Sequence, residues 1–245
     1  MTSAGLIWDA TERKFVPQIW TNSQRRESGS HKCTTQHGVV LHVPPSSPDW
    51  NPQQAGIGHM INDLGVPAYQ GYLNENSVTI AEVLKTAGYR TLMAGKWHVG
   101  GEQGNLPDGW YPDMPGYPSP NGRGFDRFYG ILSGGGSYYN PNMLMDDLTR
   151  ISIDTTDYHL TDAIASKATQ FVDDAVHREE PFFLYMAFTA PHWPLHAWPE
   201  DIESYRGIYL KGWDETRQNR HETQRGFGMV DQSWELSPRE NSVTP

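Results

Sequence analysis

Lys96 and His98 stand two residues apart in Gly95-Lys96-Trp97-His98, and His192 and His196 stand four apart in Thr189-Ala190-Pro191-His192-Trp193-Pro194-Leu195-His196. These side chains suit work on a small oxyanion. A lysine supplies a compact positive charge, and an imidazole can hold or move a proton near neutral pH. Taken singly, a lysine after glycine reads as a solvated charge and a histidine after tryptophan as a packed ring. Their joint placement at two strand ends is what turns the reading toward chemistry. In an extended backbone, positions 96 and 98 would aim their side chains the same way. What is missing matters equally: no nucleophile and no metal-ligand cluster completes the set.

Helix and strand must position these residues. Thr79-Ile80-Ala81-Glu82 has the form of a capping box, with Ile80, Val83, Leu84 and Ala87 at helical spacing and Gly88 as the stop. Tyr89 to Ala94 then reads as a short strand that ends at Gly95-Lys96. The second unit repeats the order. Thr161 is the expected cap of a helix whose Ile164, Ala165, Ala168, Phe171, Val172 and Ala175 share a face, and Glu179-Glu180-Pro181 breaks it. Phe182 to Phe188 is a continuous apolar run, the mark of a strand covered on both faces, and it delivers Thr189 to His192. This alternation predicts a layered α/β fold with a mainly parallel sheet. Both motifs would lie at its carboxyl edge, where open α/β sheets bind ligands. Gly100 to Pro141 reads as a long functional loop with one short strand near Arg127 to Leu132. From Glu200 onward only short helical turns are expected.

Composition narrows the function. A formal net charge of -10 argues against a general nucleic-acid binder. The single cysteine, Cys33, excludes an internal disulfide framework and a cysteine-only zinc site. No apolar run approaches membrane-spanning length, and Met1 is not followed by a signal-peptide pattern. With 24 glycines, 18 prolines and 9 tryptophans against 37% hydrophobic residues, the chain suits a loop-rich enzyme better than a helical bundle.

From Asn51 onward the chain resembles the sulfatase family of arylsulfatase-type hydrolases. The resemblance is carried by Ala55-Gly56-Ile57-Gly58-His59-Met60, by Ser77 through Gly100, by Arg123-Gly124-Phe125-Asp126-Arg127-Phe128-Tyr129-Gly130, and by Ala190 through His196. It implies a partial alkaline-phosphatase-like layered fold and sulfuric ester hydrolysis. The family's nucleophile is a formylglycine made from the cysteine of a Cys-x-Pro-Ser/Thr-Arg motif, and calcium stabilises the sulfate oxygens. By that resemblance Lys96 binds the formylglycine and sulfate oxygens. His98 lies beside the hydrated aldehyde, and His192 contacts sulfate and helps protonate the leaving group. His196 stays open between substrate contact and helix capping. His59 and Asp63 read as structural, Trp97 and Trp193 as pocket wall or core, and Arg123 with Asp126 as a loop-stabilising pair. The implied partner is a small-molecule or polysaccharide sulfate ester, with neither nucleic acid nor membrane. Two alternatives are kept: a phosphoester or phosphonate ester hydrolase of the same superfamily, and a noncatalytic fragment that binds sulfated glycans through Ser133 to Asn140. An intact parent enzyme of this type is expected in the periplasm or outside the cell.

Residues 1–50 depart from the family. Neither paired aspartates nor the cysteine motif precedes Asn51, and Cys33 has no Pro or Arg at the required offsets. The family's later Asp-Asn metal ligands are expected beyond Pro245, so the chain itself supplies no calcium ligands. Codon degeneracy accounts for the beginning. Taking the last base of each codon with the first two of the next, Gly38 to Trp50 can encode Cys-Cys-Pro-Thr-Arg-Ala-Ser-Leu-Leu-Thr-Gly-Leu. Met1 to Trp20 can likewise encode an opening strand beginning Asp-Leu-Gly-Trp-Ser-Asp-Leu-Gly. Both join in register at Asn51-Pro52-Gln53-Gln54. Two segments are therefore expected: 1–50, out of frame and without an evolved fold, and 51–245, a partial sulfatase catalytic domain without its nucleophile.

Overall fold

The structure, a computed structural model, describes residues 52–59, 62–101 and 111–239 in full, together with the backbone of strands at 3–9, 14–20 and 41–42. In chain order the elements are β1 (Ser3–Asp9), β2 (Lys14–Trp20), β3 (Leu41–His42), β4 (Val78–Thr79), α1 (Ile80–Thr86), β5 (Arg90–Gly95), β6 (Arg127–Ile131), β7 (Leu144–Asp146), β8 (Thr149–Arg150), α2 (Leu160–His177), β9 (Phe182–Ala187), α3 (Pro199–Ser204) and α4 (Gly212–Gly226). Residues 1–196 and 197–245 form two compact units.

The first unit is built on a seven-stranded sheet in the order β2-β1-β9-β5-β6-β7-β8. Its three central strands are parallel, with Leu92 of β5 opposite Leu184 of β9 on one side and Arg127 of β6 on the other. The flanks are antiparallel. The sheet is thus mixed, with the expected parallel pairing at its centre. Side chains alternate across it with period two. Met93, Phe128, Phe183 and Tyr185 pack with Trp97, Phe125 and Ala81 on one face. On the other, Leu92, Ala94, Tyr129, Ile131, Phe182 and Leu184 meet Ile164, Ala168, Phe171 and Ala175 of α2. Full burial of each such large side chain contributes about 1.5–3 kcal/mol; both faces of β5 and β9 are covered, as the unbroken apolar run of β9 predicts.

Local chemistry explains α1. The Thr79 side chain accepts the Glu82 N–H at 3.1 Å, and the Glu82 carboxylate accepts the Thr79 N–H at 2.7 Å. Thr161 is not the cap of α2, however. The helix starts two residues earlier than that cap would place it, with His159 as its cap residue and no side-chain hydrogen bond capping its first turn. The Leu160 N–H donates instead to the Tyr138 carbonyl at 2.8 Å, so a distant loop satisfies a donor that a cap would otherwise serve. Ala165 is exposed, while the rest of the expected face is buried or half-buried.

Two further differences concern elements without a helical or alternating signature. Strands β1 and β2 fall where no regular element is expected, and β1 lies antiparallel to β9 from Ala4 opposite Met186 to Ile7 opposite Phe183. The edge of β9 would otherwise present a row of backbone groups without ladder partners, which an added strand pairs. In the second unit α4 runs for 15 residues, not a short turn, although none of its residues is buried. Among the described residues no helix is long and apolar enough to cross a membrane.

Arg123 and Asp126 each stabilise loops, but not by pairing with one another. The Arg123 guanidinium binds the Glu82 carboxylate at 2.8 Å and the carbonyls of Leu73, Asn74 and Ser77. Asp126 instead binds Lys85 at 2.7 Å and accepts the Thr91 N–H and hydroxyl. Replacing Arg123 with Ala takes the guanidinium away from three carbonyls and from the Glu82 carboxylate, and is expected to cost about 3–5 kcal/mol. Asp126→Asn, facing a half-exposed lysine, is expected to cost about 1 kcal/mol or less. Urea unfolding of the two variants checks this, and equal midpoints would count against the Arg123 clamp.

Candidate active site

At the carboxyl end of β5 the backbone leaves the sheet through a tight crossing. Gly95 has φ +130°, and a Cβ there would lie 2.0 Å from the Ala187 carbonyl oxygen of β9, so only glycine fits. The next three residues are fixed by both neighbouring strands. Lys96 N–H donates to the Ala187 carbonyl at 2.7 Å, Trp97 N–H to that of Ile131 at 2.9 Å, and His98 N–H to that of Leu132 at 3.1 Å. Trp97 is fully buried, with its indole N–H on the Pro118 carbonyl at 2.8 Å, which settles it as core. Lys96 and His98 on either side are half-buried. The extended-backbone argument fails at His98, whose φ of +60° is left-handed. Such a backbone costs a non-glycine residue about 1 kcal/mol or more and persists only where its surroundings hold it.

Lys96 has no ion-pair or hydrogen-bond partner for its ammonium among the described residues, and burial alone holds its pKa below the usual lysine range. A half-buried cation with no neutralising partner among the described residues is chemically suited to take an anion.

The end of β9 supplies the histidines. Thr189 is buried, and its hydroxyl has no hydrogen-bond partner among the described residues. The peptide bonds Ala190–Pro191 and Trp193–Pro194 are cis. His192 Nδ1 lies 2.6 Å from the Trp193 carbonyl oxygen. A carbonyl only accepts, so Nδ1 carries the proton and Nε2 is the nitrogen able to take or give one. His196 has the opposite arrangement. Its Nδ1 accepts the Tyr138 N–H at 3.2 Å, so its proton lies on Nε2, and its ring stacks on Tyr139 at 5.0 Å between centroids. Its ring is thus committed to the loop after β6, while α3 begins from Trp198 and takes no side-chain cap. Trp193 is 73% exposed and is not core. His59 is exposed, and Asp63 serves a turn by accepting the Gly65 N–H at 2.8 Å.

The segment after β6 brings the two strand ends together. A Cβ on Gly134 would lie 2.2 Å from His98 Nε2, and one on Gly135 would lie 2.9 Å from His192 Nδ1. From the sequence this stretch reads as part of a loop, with sulfated-glycan binding as one alternative, and that reading does not place the two histidines against it. The run Ser133-Gly134-Gly135-Gly136-Ser137 was the available signal that something approaches the backbone closely there.

No group of three or more His, Cys, Asp or Glu among the described residues could hold a metal ion. The donor set here, one ammonium and three imidazoles without a carboxylate, does not suit calcium, which takes oxygen ligands. What these residues can do is hold an anion and move a proton. Cys33 and the codons of most of Gly38 to Trp50 lie outside the described residues.

The sulfatase family model matches residues 50–235. An uncharacterised sulfatase of Schizosaccharomyces pombe is 35% identical over 198 residues, covering 72% of this chain and 33% of its own. The arylsulfatase of Klebsiella aerogenes is 31% identical over 218 residues, covering 78% of this chain and 44% of its own. The crystal structure of Ps i-CgsB is 29% identical and superposes with a TM-score of 0.45 over 56% of this chain and 32% of that one. The chain therefore spans less than half the length of these curated relatives. With a family match over residues 50–235 that runs through both motifs, the chain belongs to the sulfatase family.

Proposed function

We propose that residues 51–245 carry part of the active site of a sulfuric ester hydrolase, and that the 245-residue chain by itself does not turn over. The observation that carries this is Lys96, a half-buried ammonium with no neutralising partner among the described residues. A sulfate ester surrounds its sulfur with negative oxygens, and a fixed cation in a partly desolvated site stabilises them most where charge develops. His98, on the same loop, is assigned to the attacking group's side. His192 is assigned the leaving group: when the S–O bond breaks, a protonated Nε2 gives its proton to the departing oxygen. His196 Nε2–H is a donor available to substrate. Formylglycine supplies the nucleophile in this family and calcium a further positive charge, and neither has its residues among those described here. Residues 1–50 are assigned to an out-of-frame reading of the segment that would encode the nucleophile.

Inorganic sulfate titrated into the 245-residue chain with labelled histidines tests the site. The ring signals of His98 and His192 are expected to move together along one saturable curve, with those of His59 and His177 unmoved. Lys96→Ala should remove the response. Equal movement of all ten histidine signals, or of none, would refute the anion site.

A further inference from the structure

Three glycines follow one another after β6, and they do different things. Gly134 and Gly135 lie outside the left-handed region of φ, so the backbone itself would admit a side chain. What excludes one is a histidine ring, that of His98 at Gly134 and that of His192 at Gly135. Gly136 is the reverse case: its φ is +153°, and a Cβ there would meet nothing within 4 Å. Glycines needed only for a turn would show the pattern of Gly136. Consecutive Cα atoms are about 3.8 Å apart, so rings arriving from β5 and from β9 are stationed against adjacent residues of one peptide.

Three residues after Gly135 the same segment is anchored by Tyr138, which is 2% exposed. Its N–H donates to His196 Nδ1 at 3.2 Å, its hydroxyl to the His192 carbonyl at 2.8 Å, and its own carbonyl accepts the Leu160 N–H at 2.8 Å. Burial pushes the phenol's pKa up, which keeps it a donor. One residue therefore ties the loop that follows the glycine pair to the histidine segment after β9 and to the start of α2.

We propose that Gly134, Gly135 and Tyr138 are positioning residues that set the His98 and His192 rings relative to each other, so that one tetrahedral anion can touch both. The inference rests on the anion-site reading above. Its requirement is steric: a Cβ at 134 would lie 2.2 Å from His98 Nε2 and one at 135 would lie 2.9 Å from His192 Nδ1, so a side chain at either position displaces the ring beside it.

The test is histidine-ring NMR on the full chain, with inorganic sulfate as the probe. Gly134→Ala is expected to move the His98 ring signals and Gly135→Ala those of His192, each weakening sulfate about tenfold through a displaced contact to a charged group. Tyr138→Phe should move His192 more than His98. Gly136→Ala strains the backbone without crowding either ring, so it should leave both rings in place and sulfate affinity within about twofold. If Gly136→Ala perturbs the rings as much as Gly134→Ala, the loop is merely structural and the proposal falls. If the parent chain binds no sulfate while the ring shifts follow the expected pattern, the anion-site reading fails and the positioning role stands. Where Gly134→Ala lowers the thermal midpoint too far for NMR, adding His98→Ala should restore it, whereas adding His98→Ala to Gly135→Ala should not. Equal recovery in both pairs, or none, overturns the proposal.

Discussion

Removing the last base of the Trp50 codon, in a gene carried through its upstream and downstream sequence, is expected to yield an enzyme that hydrolyses a chromogenic aryl sulfate. The 245-residue chain is expected to yield none. The size of the contrast follows from what the shift removes. Lys96, His98 and His192 can stabilise and protonate, but an ester is cleaved at sulfur only when a nucleophile attacks it, and Cys33 has no matching neighbours. The shifted reading places Cys-Cys-Pro-Thr-Arg a fixed distance before Asn51, so the restored chain regains the group that the positioned cations serve. A working active site of this kind should exceed the uncatalysed rate by at least about 10⁶-fold. Running the aryl phosphate in parallel separates the sulfuric ester hydrolase from a phosphoester hydrolase of the same superfamily. Turnover by pure 245-residue protein would end the argument that this chain lacks its nucleophile. A restored enzyme inert toward both esters would end the frame argument itself.

How much was legible in the sequence depended on how far each contact reaches. The capping box of Thr79 and Glu82 closes over three residues, and both partners are visible in one short string. The strand ends that carry Lys96 and His192 were legible for a similar reason, since β5 and β9 are apolar runs bounded by Gly88 and by Pro181. Where the partner is remote, local signals misled or were silent. Thr161 looked like a cap because the acceptor that replaces it, the Tyr138 carbonyl, is 22 residues back in the chain. Arg123 was paired with the nearby Asp126, whereas its carboxylate is Glu82, 41 residues away. The glycine pair at 134 and 135 carried no meaning until two rings from other strands were seen against it. Helix α4 failed for a different reason: it buries no residue, so it has no apolar stripe for periodicity to detect.

Replacing Lys96 with Met is expected to stabilise the 245-residue chain while abolishing its sulfate binding, and to lower kcat/KM of a frame-restored enzyme by about 10²–10³-fold. The opposite signs have one cause. Burial lowers the Lys96 pKa in the fold, so the native chain binds its proton less tightly than the unfolded chain does. Below the lowered value the native state carries a poorly solvated charge, and stability is reduced by a constant amount. Between that value and the ordinary lysine pKa of 10.5 the unfolded state holds more protons, so stability rises with pH until the penalty is gone. Methionine fills a similar volume without the charge, so its gain, about 1 kcal/mol for a half-exposed group, should be full at neutral pH and fade across that same window. Sulfate works against the burial effect. By pairing with the ammonium it raises the lysine's affinity for its proton, so sulfate binding should weaken as pH climbs through the lowered pKa, earlier than it would at an exposed lysine. Thermal unfolding of parent and Lys96→Met chains, with and without sulfate and across alkaline pH, reads all of this. A variant less stable than its parent at neutral pH would mean that Lys96 is held by a favourable partner and is not waiting for an anion.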